Sequence, residues 1–378
     1  MLSNLPYIEE LRLSQFRNIE SLALKLSPNP IVFTGLNGAG KTNILEALSF
    51  FSPGKGMHGE VYKVLSRQTG DQVFPWAAHL RLNKQGYVNE IGMGLDPESE
   101  KDRRIIKIDG SKSVSQKKLT DLINVIWITP SMDRLLTESL GDRRKFLDRC
   151  VYGLDAEHAD RLSSYEKKLK ERIQLLQNDE PDQQWLAQLE NDIVTLGVAV
   201  HEARQNYLHV LVPYIKKDTI FPAPICHLTG KFEDFYAQYG RDQAIEFYKA
   251  QLKILRPIDK EVGGSRIGPH RVDLKVIEAR NHRSASFSST GELKGLLIAF
   301  VLAHCRLLVY KGKAPIVLLD EVVAHLDPLR REVLCQEILA LNLQAWMTGT
   351  EKQFFDAFSQ KAQYFNMHDG KILEEEKV

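Results

Sequence analysis

Gly35-Leu36-Asn37-Gly38-Ala39-Gly40-Lys41-Thr42 has the spacing G-x-x-x-x-G-K-[ST], and each fixed position has a chemical task. The glycines let successive backbone N–H groups turn inward around phosphate oxygens, and the N-terminus of a following helix faces the same charge. Lys41 is then placed to reach the β- and γ-phosphates of a nucleotide, and the Thr42 hydroxyl to bind Mg²⁺. A second chemical run is Ile316-Val317-Leu318-Leu319-Asp320-Glu321. A buried strand ending on Asp320 delivers a carboxylate for Mg²⁺ at the carboxyl edge of a parallel sheet, where ligands collect. Glu321 follows in position to polarise an attacking water. Further on, Asp327-Pro328 reads as an N-cap with proline at the first helical position. The turn Ser289-Thr290-Gly291-Glu292 carries two readings: the S-x-x-E spacing of a capping box, and a helix N-terminus that binds an anion.

These groups need elements to hold them. Ile31-Val32-Phe33 reads as a short strand entering the glycine loop, and Ile44, Leu48 and Phe51 mark the amphipathic helix after it. Leu11/Leu13 and Leu22/Leu24/Leu26 alternate with polar neighbours as in half-buried strands. Ile105–Ile108 meets Asp109-Gly110, a hairpin signal, and Val125–Thr129 reads as a buried strand closed by Pro130. From Asp133 to Lys260 the pattern is mostly helical, with Leu162, Tyr165 and Leu169, then Leu186, Leu189, Ile193, Leu196 and Val200, at helical spacing. Strands and helices alternate again from Gly263, with an apolar helix over Leu293–Val309 and a final hairpin at Asp369-Gly370. The predicted organisation is an α/β head of residues 1–132 and 263–378, a mixed sheet with helices, split by a mostly helical insertion of residues 133–262.

Composition bounds the setting. The chain has 378 residues with 50 Lys and Arg against 49 Asp and Glu, a net charge of +1, an ordinary globular profile. Its most apolar run, Gly295–Ala303, stops at His304 and Arg306, short of the ~18–20 residues of a membrane span. The N-terminal residues carry Glu9 and Glu10 and no apolar core, so no signal peptide is expected. Cys150, Cys226, Cys305 and Cys335 are scattered without a zinc or disulfide pattern, which suits a reducing cytosol. No membrane partner and a cytoplasmic location are expected.

The order of Gly35–Thr42, the Ser289–Glu292 turn and Leu319-Asp320-Glu321 with Leu326-Asp327 resembles that of ABC-type ATPases. The turn is similar to their L-S-G-G-Q signature, with Thr290 for the first Gly and Glu292 for Gln. Ser289 comes 247 residues after Thr42 (289 minus 42), too far for a transporter subunit and too near for the long coiled coils of SMC or Rad50 proteins. Leu13-Ser14-Gln15-Phe16-Arg17-Asn18 and Asn43-Ile44-Leu45-Glu46-Ala47 resemble the SMC-like branch, and specifically the RecF family. Gly141-Asp142-Arg143-Arg144-Lys145-Phe146-Leu147-Asp148 and Gly268-Pro269-His270-Arg271-Val272-Asp273-Leu274 are similar to stretches of the same family.

The resemblance implies a weak, DNA-stimulated ATPase of DNA repair, replication and the SOS response. Two copies would close on ATP and Mg²⁺ around duplex or gapped DNA and act with RecO and RecR to load RecA. By position, Glu321 is the general base, Lys41 the phosphate clamp, and Thr42 and Asp320 the Mg²⁺ partners. Gly35, Leu36, Asn37, Gly38, Ala39, Gly40 and Asn43 complete the nucleotide loop, with Arg17 a further phosphate contact. Ser289 and Gly291 would meet the partner copy's γ-phosphate, and Asp327 would lie at the dimer seam. Thr129 is the guess for the polar residue joining the insertion to the γ-phosphate.

For DNA, the basic groups are Arg103, Arg104, Lys107, Lys112, Lys117 and Lys118; Arg143, Arg144 and Lys145; and Lys167, Lys168, Lys170 and Arg172. Such runs are read either as solvated faces or as phosphate contacts. For Arg143 and Arg144, structural pairing and DNA contact are both open. The alternative function is another SMC-like ATPase or scaffold with no RecA-loading role.

Overall fold

The structure is a computed structural model that describes residues 5–96, 102–113, 116–217 and 219–376. The chain forms two compact units. One comprises Met1–Asp133, Asp218–Phe221 and Leu297–Val378, the other Arg134–Lys217 and Pro222–Leu296.

The first unit holds two six-stranded sheets. One is antiparallel, in the order Ile19–Lys25, Tyr7–Phe16, Ala77–Lys84, Tyr87–Leu95, Arg104–Ile108, Ser111–Ser113. Leu11, Leu13, Leu22 and Leu24 are buried on one face of it, as their alternation predicts. The turn at Asp109-Gly110 closes its last hairpin with both residues at positive φ, 49° and 78°, the conformation that asparagine, aspartate and glycine accept most readily.

The other sheet positions the chemistry. Its order is Val125–Ile128, Ile316–Leu319, Ala345–Thr348, Ile31–Thr34, Gln363–His368, Lys371–Glu376, parallel except for the last strand. The first three strands are buried at every residue, which is why they read as unbroken apolar runs rather than as alternation. Leu319 lies opposite Met347, and Thr348 opposite Phe33. Asp320, Thr348 and the glycine loop therefore emerge side by side at the carboxyl edge. The Phe33 ring stacks between Trp346 and Phe365 at 5.9 and 5.4 Å, beneath that edge.

Helix Thr290–Tyr310 departs from one expectation. Among the described residues it alone has the length and mean hydropathy, 1.7, of a membrane span, although its apolar run was expected to be too short. His304 and Arg306 do not end it. His304 is buried, and Arg306 pairs with Glu337 at 2.7 Å. In all, 83% of the apolar window is buried inside the protein, the behaviour of a core helix.

The second unit is built on helices Leu140–Leu154, His158–Gln177 and Gln183–Leu211, the last two an antiparallel pair. Asp182 caps the longest by accepting from the N–H groups of Gln184 and Trp185. Tyr165, Ile193, Val200, Phe232, Tyr248 and Leu252 form its core. The stretch expected to be mostly helical to Lys260 also contains a strand, Pro224–Thr229, paired antiparallel with Asp273–Glu278. That pairing carries residues 263–296 with the second unit, whereas the sequence reading grouped them with the head.

Candidate functional site

Helix Lys41–Ser49 starts at Gly40, which adopts a left-handed conformation. The loop before it is shaped by close backbone approaches. A Cβ at Gly35, where φ is 140°, would lie 2.3 Å from the Met367 carbonyl oxygen, so only glycine fits. The Gly370 N–H donates to the Ala39 carbonyl at 2.9 Å. The Asn18 side chain donates to the Gly38 carbonyl at 3.3 Å and accepts from Asn43 at 2.7 Å.

Asp320 is the hub of the site. It is buried, and its Oδ1 accepts from the hydroxyls of Thr42 and Thr348, each at 2.8 Å. Thr348 Oγ1 in turn accepts from the Glu321 N–H at 2.9 Å. Glu321 has φ of 51°, a sparsely populated conformation for a side chain of its size, and this hydrogen bond holds it there. The Lys41 ammonium donates to the Gly35 and Leu36 carbonyls at 2.7 and 2.9 Å. Burial lowers its pKa, against the opposing pull of Glu321 and Asp320.

Lys41, Thr42, Asp320 and Glu321 thus share one edge of one sheet. Leu36, Asn37 and Gly38 are exposed on the loop, with Ala39 and Gly40 buried beneath. The Thr42 hydroxyl and Asp320 carboxylate are hard oxygen donors, which suit Mg²⁺ when phosphates and waters fill its remaining positions. Among the described residues no three His, Cys, Asp or Glu side chains gather as a metal cage.

Other candidates have local partners. Arg17 lies against Glu46, donating through Nε and, at 2.8 Å, through a terminal nitrogen. Burial alone would raise the Glu46 carboxyl, but His58 and Arg17 hold it below the usual range. Asp327 caps helix Pro328–Ala340 by accepting from the Arg330 N–H at 2.9 Å. Ser289 and Gly291 belong to the second unit. There the Ser289 N–H donates to Glu292 at 2.7 Å and the Glu292 N–H to Ser289 Oγ at 3.3 Å, a closed capping box. The Thr129 hydroxyl lies 2.8 Å from that of Ser131.

Sequence reasoning missed Thr348, and gave no task to Asn18 and Glu46, which it read only as parts of family-like stretches. The available signal was an apolar run, Ala345-Trp346-Met347, ending on Thr-Gly-Thr-Glu. The basic clusters also divide. Arg143 pairs with Asp273 at 2.7 Å, Arg144 donates to the Val272 carbonyl, and Arg104 to the carbonyls of Phe50 and Ser52. Arg172 is fully buried between Glu190 and Asp259. Lys107, Lys112, Lys117, Lys118, Lys145, Lys167 and Lys170 are exposed.

The family model for the RecF/RecN/SMC N terminal domain matches residues 7–372. A protein of Rhizobium meliloti (strain 1021) named DNA replication and repair protein RecF is 39% identical over 370 residues, 97% of this chain and 98% of that one. Its namesake from Brucella suis biovar 1 (strain 1330) is 39% identical over 373 residues, 97% of this chain and 95% of its own. Among solved structures, the recombination mediator protein RecF-ATPrS of the RecFOR pathway superposes with a TM-score of 0.84 at 22% identity, covering 98% of both chains. The Smc head domain of Pyrococcus furiosus, with a coiled coil and bound to the C-terminal domain of ScpA, gives 0.55 at 17% identity, over 97% of this chain and 95% of that one. These likenesses show the fold: an α/β ABC-type ATPase head with a mixed sheet and helices.

Proposed function

The chain belongs to the RecF family of DNA replication and repair proteins, and from that premise we propose that it is an ATP-driven DNA clamp of gap repair. The observation that carries the reading is the junction at Asp320, where the hydroxyls of Thr42 and Thr348 meet one carboxylate at 2.8 Å. It joins the phosphate loop, the acidic strand end and the strand between them.

Residues Gly35 to Asn43 wrap the triphosphate of ATP, whose charge draws the Lys41 ammonium away from the Gly35 and Leu36 carbonyls. Thr42 and Asp320 would hold Mg²⁺, and the ion would supply neutralising charge for the phosphates. Glu321 orients and deprotonates the attacking water. Its backbone anchor at Thr348 fixes the carboxylate relative to Asp320, and fixed positioning is most of what phosphoryl transfer asks of a protein. Ser289 and Gly291 contact the γ-phosphate of a second copy, with Asp327 at the seam, so ATP binding drives dimerisation and slow hydrolysis ends it. The closed dimer holds duplex or gapped DNA, through the exposed lysines rather than the buried or half-buried arginines. It works in the cytoplasm with RecO and RecR to load RecA.

The test is DNA binding by wild type and Glu321→Gln, with and without ATP, on duplex, single-stranded and gapped substrates, with light scattering in parallel. The variant should hydrolyse ATP at least ~100-fold more slowly and accumulate an ATP-dependent dimer whose DNA affinity falls steeply with salt. A Glu321→Gln chain that stays monomeric with ATP overturns the reading.

A further inference from the structure

We infer that Glu46 is a positioning residue that, together with His58, latches Arg17 one helical turn from the phosphate loop and hands it to bound ATP. The inference rests on the reading that the loop binds ATP, and deepens it. Glu46 lies four residues beyond Thr42 on helix Lys41–Ser49, with a side chain 1% exposed. Arg17 covers both of its oxygens, and His58 Nδ1 approaches Oε1 at 3.1 Å. The two partners, Arg17 and His58, are partly open to solvent, at 27% and 33%, around a carboxylate that is not. The Arg17 backbone is pinned by its N–H bond to the Leu65 carbonyl at 2.8 Å, and its neighbour Asn18 clasps the loop. Only the guanidinium can travel.

Burial supplies the control. A carboxylate left unpaired in the interior is strongly disfavoured, so Arg17 can leave Glu46 only while His58 remains as a cation. Glu46 favours that cation most, burial opposes it, Asp320 adds to it and Arg17 itself opposes it. Glu60 favours the cationic form of Arg17. Departure of Arg17 removes its repulsion of a charged His58, so release and protonation reinforce each other.

The experiment compares ATP affinity by calorimetry for wild type, His58→Gln, His58→Lys, Glu46→Gln and the double variant Glu46→Gln/Arg17→Ala between pH 6 and 8.5. Differences from wild type at each pH cancel the nucleotide's own titration. Wild type should bind more tightly than His58→Gln at pH 6, by about tenfold, and equally at pH 8.5. His58→Lys should keep the tight affinity at pH 8.5. Glu46→Gln should bind tightly at all pH values, and the double variant should lose that gain. A pH-independent ratio of wild type to His58→Gln, or a Glu46→Gln effect that persists without Arg17, overturns the latch. His58 stands on an exposed loop, so its variants keep the test decisive even if Glu46→Gln does not fold. If wild type binds no ATP at any pH, the reading of the loop falls instead.

Discussion

Two regions of the molecule use the same residue types in opposite ways. In the second unit, Asp148 is fully enclosed between Arg204, at 2.7 and 2.8 Å, and His158, at 2.8 Å. Arg172 is likewise locked to Glu190, Asp259 and the Leu252 carbonyl. Asp148 and Arg172 each meet opposite charges at hydrogen-bond distance, and exchange of partners would strand an ion in the core. At the carboxyl edge of the parallel sheet, Lys41 instead rests on neutral carbonyls and Asp320 on neutral hydroxyls. Such partners are weaker than counter-ions, so an anion can draw Lys41 from its carbonyls and a cation can draw Asp320 from its hydroxyls. The buried pairs of the second unit make a frame, whereas Lys41 and Asp320, held by neutral groups, make a site.

The contrast can be broken most forcefully at Asp148. Burial would raise this carboxyl, but Arg204 and His158 hold it down at about 2. Its folded pKa lies below the unfolded value of about 3.9. The stability it contributes is therefore present above that value and lost as pH falls through about 2. Asp148→Asn should cost about 3–5 kcal/mol in urea unfolding at pH 7 and flatten the acid limb between those two values. An unchanged midpoint would mean the frame is not a frame.

Lys41→Met tests the other side. Because burial already disfavours the ammonium, the melting temperature should hold or rise, while ATP affinity falls on the order of 100-fold. Unchanged binding by calorimetry would remove the loop from the site. The smallest effect belongs to Ser289, where both modes meet. Ser289→Ala should cost about 1 kcal/mol of stability. Ser289→Asp, itself a good cap, should restore the stability yet still block ATP-driven dimerisation if the hydroxyl faces a phosphate. Dimerisation intact in Ser289→Asp would leave the capping box as its whole role.

This division also explains what was legible in the sequence. Gly35 to Thr42 and Asp320-Glu321 were readable because local spacing alone dictates their chemistry. Thr348 and Asn18 were not, since each acquires its task from a strand or turn far away in the chain. Arg172 sits in a run with Lys167, Lys168 and Lys170 that reads as a solvated face, yet it is fully buried. Residue type does not encode burial; the partners Glu190 and Asp259 do, and they come from other helices. Strand Pro224–Thr229 was hidden similarly, its pairing supplied by Asp273–Glu278.

The hairpin turn at Asp369-Gly370 has a consequence for how the protein is made. Its Gly370 N–H braces the Ala39 carbonyl, and Asp320 meets Thr42 across 278 residues. On the ribosome the glycine loop emerges early, while the groups that shape and complete it are still untranslated. At about 5–20 residues per second, the first unit's apolar strand Ile31–Thr34 waits many seconds for its neighbours. On the proposed function, nucleotide capture is a late event of synthesis, and a truncated chain that keeps the full phosphate motif should not retain ATP.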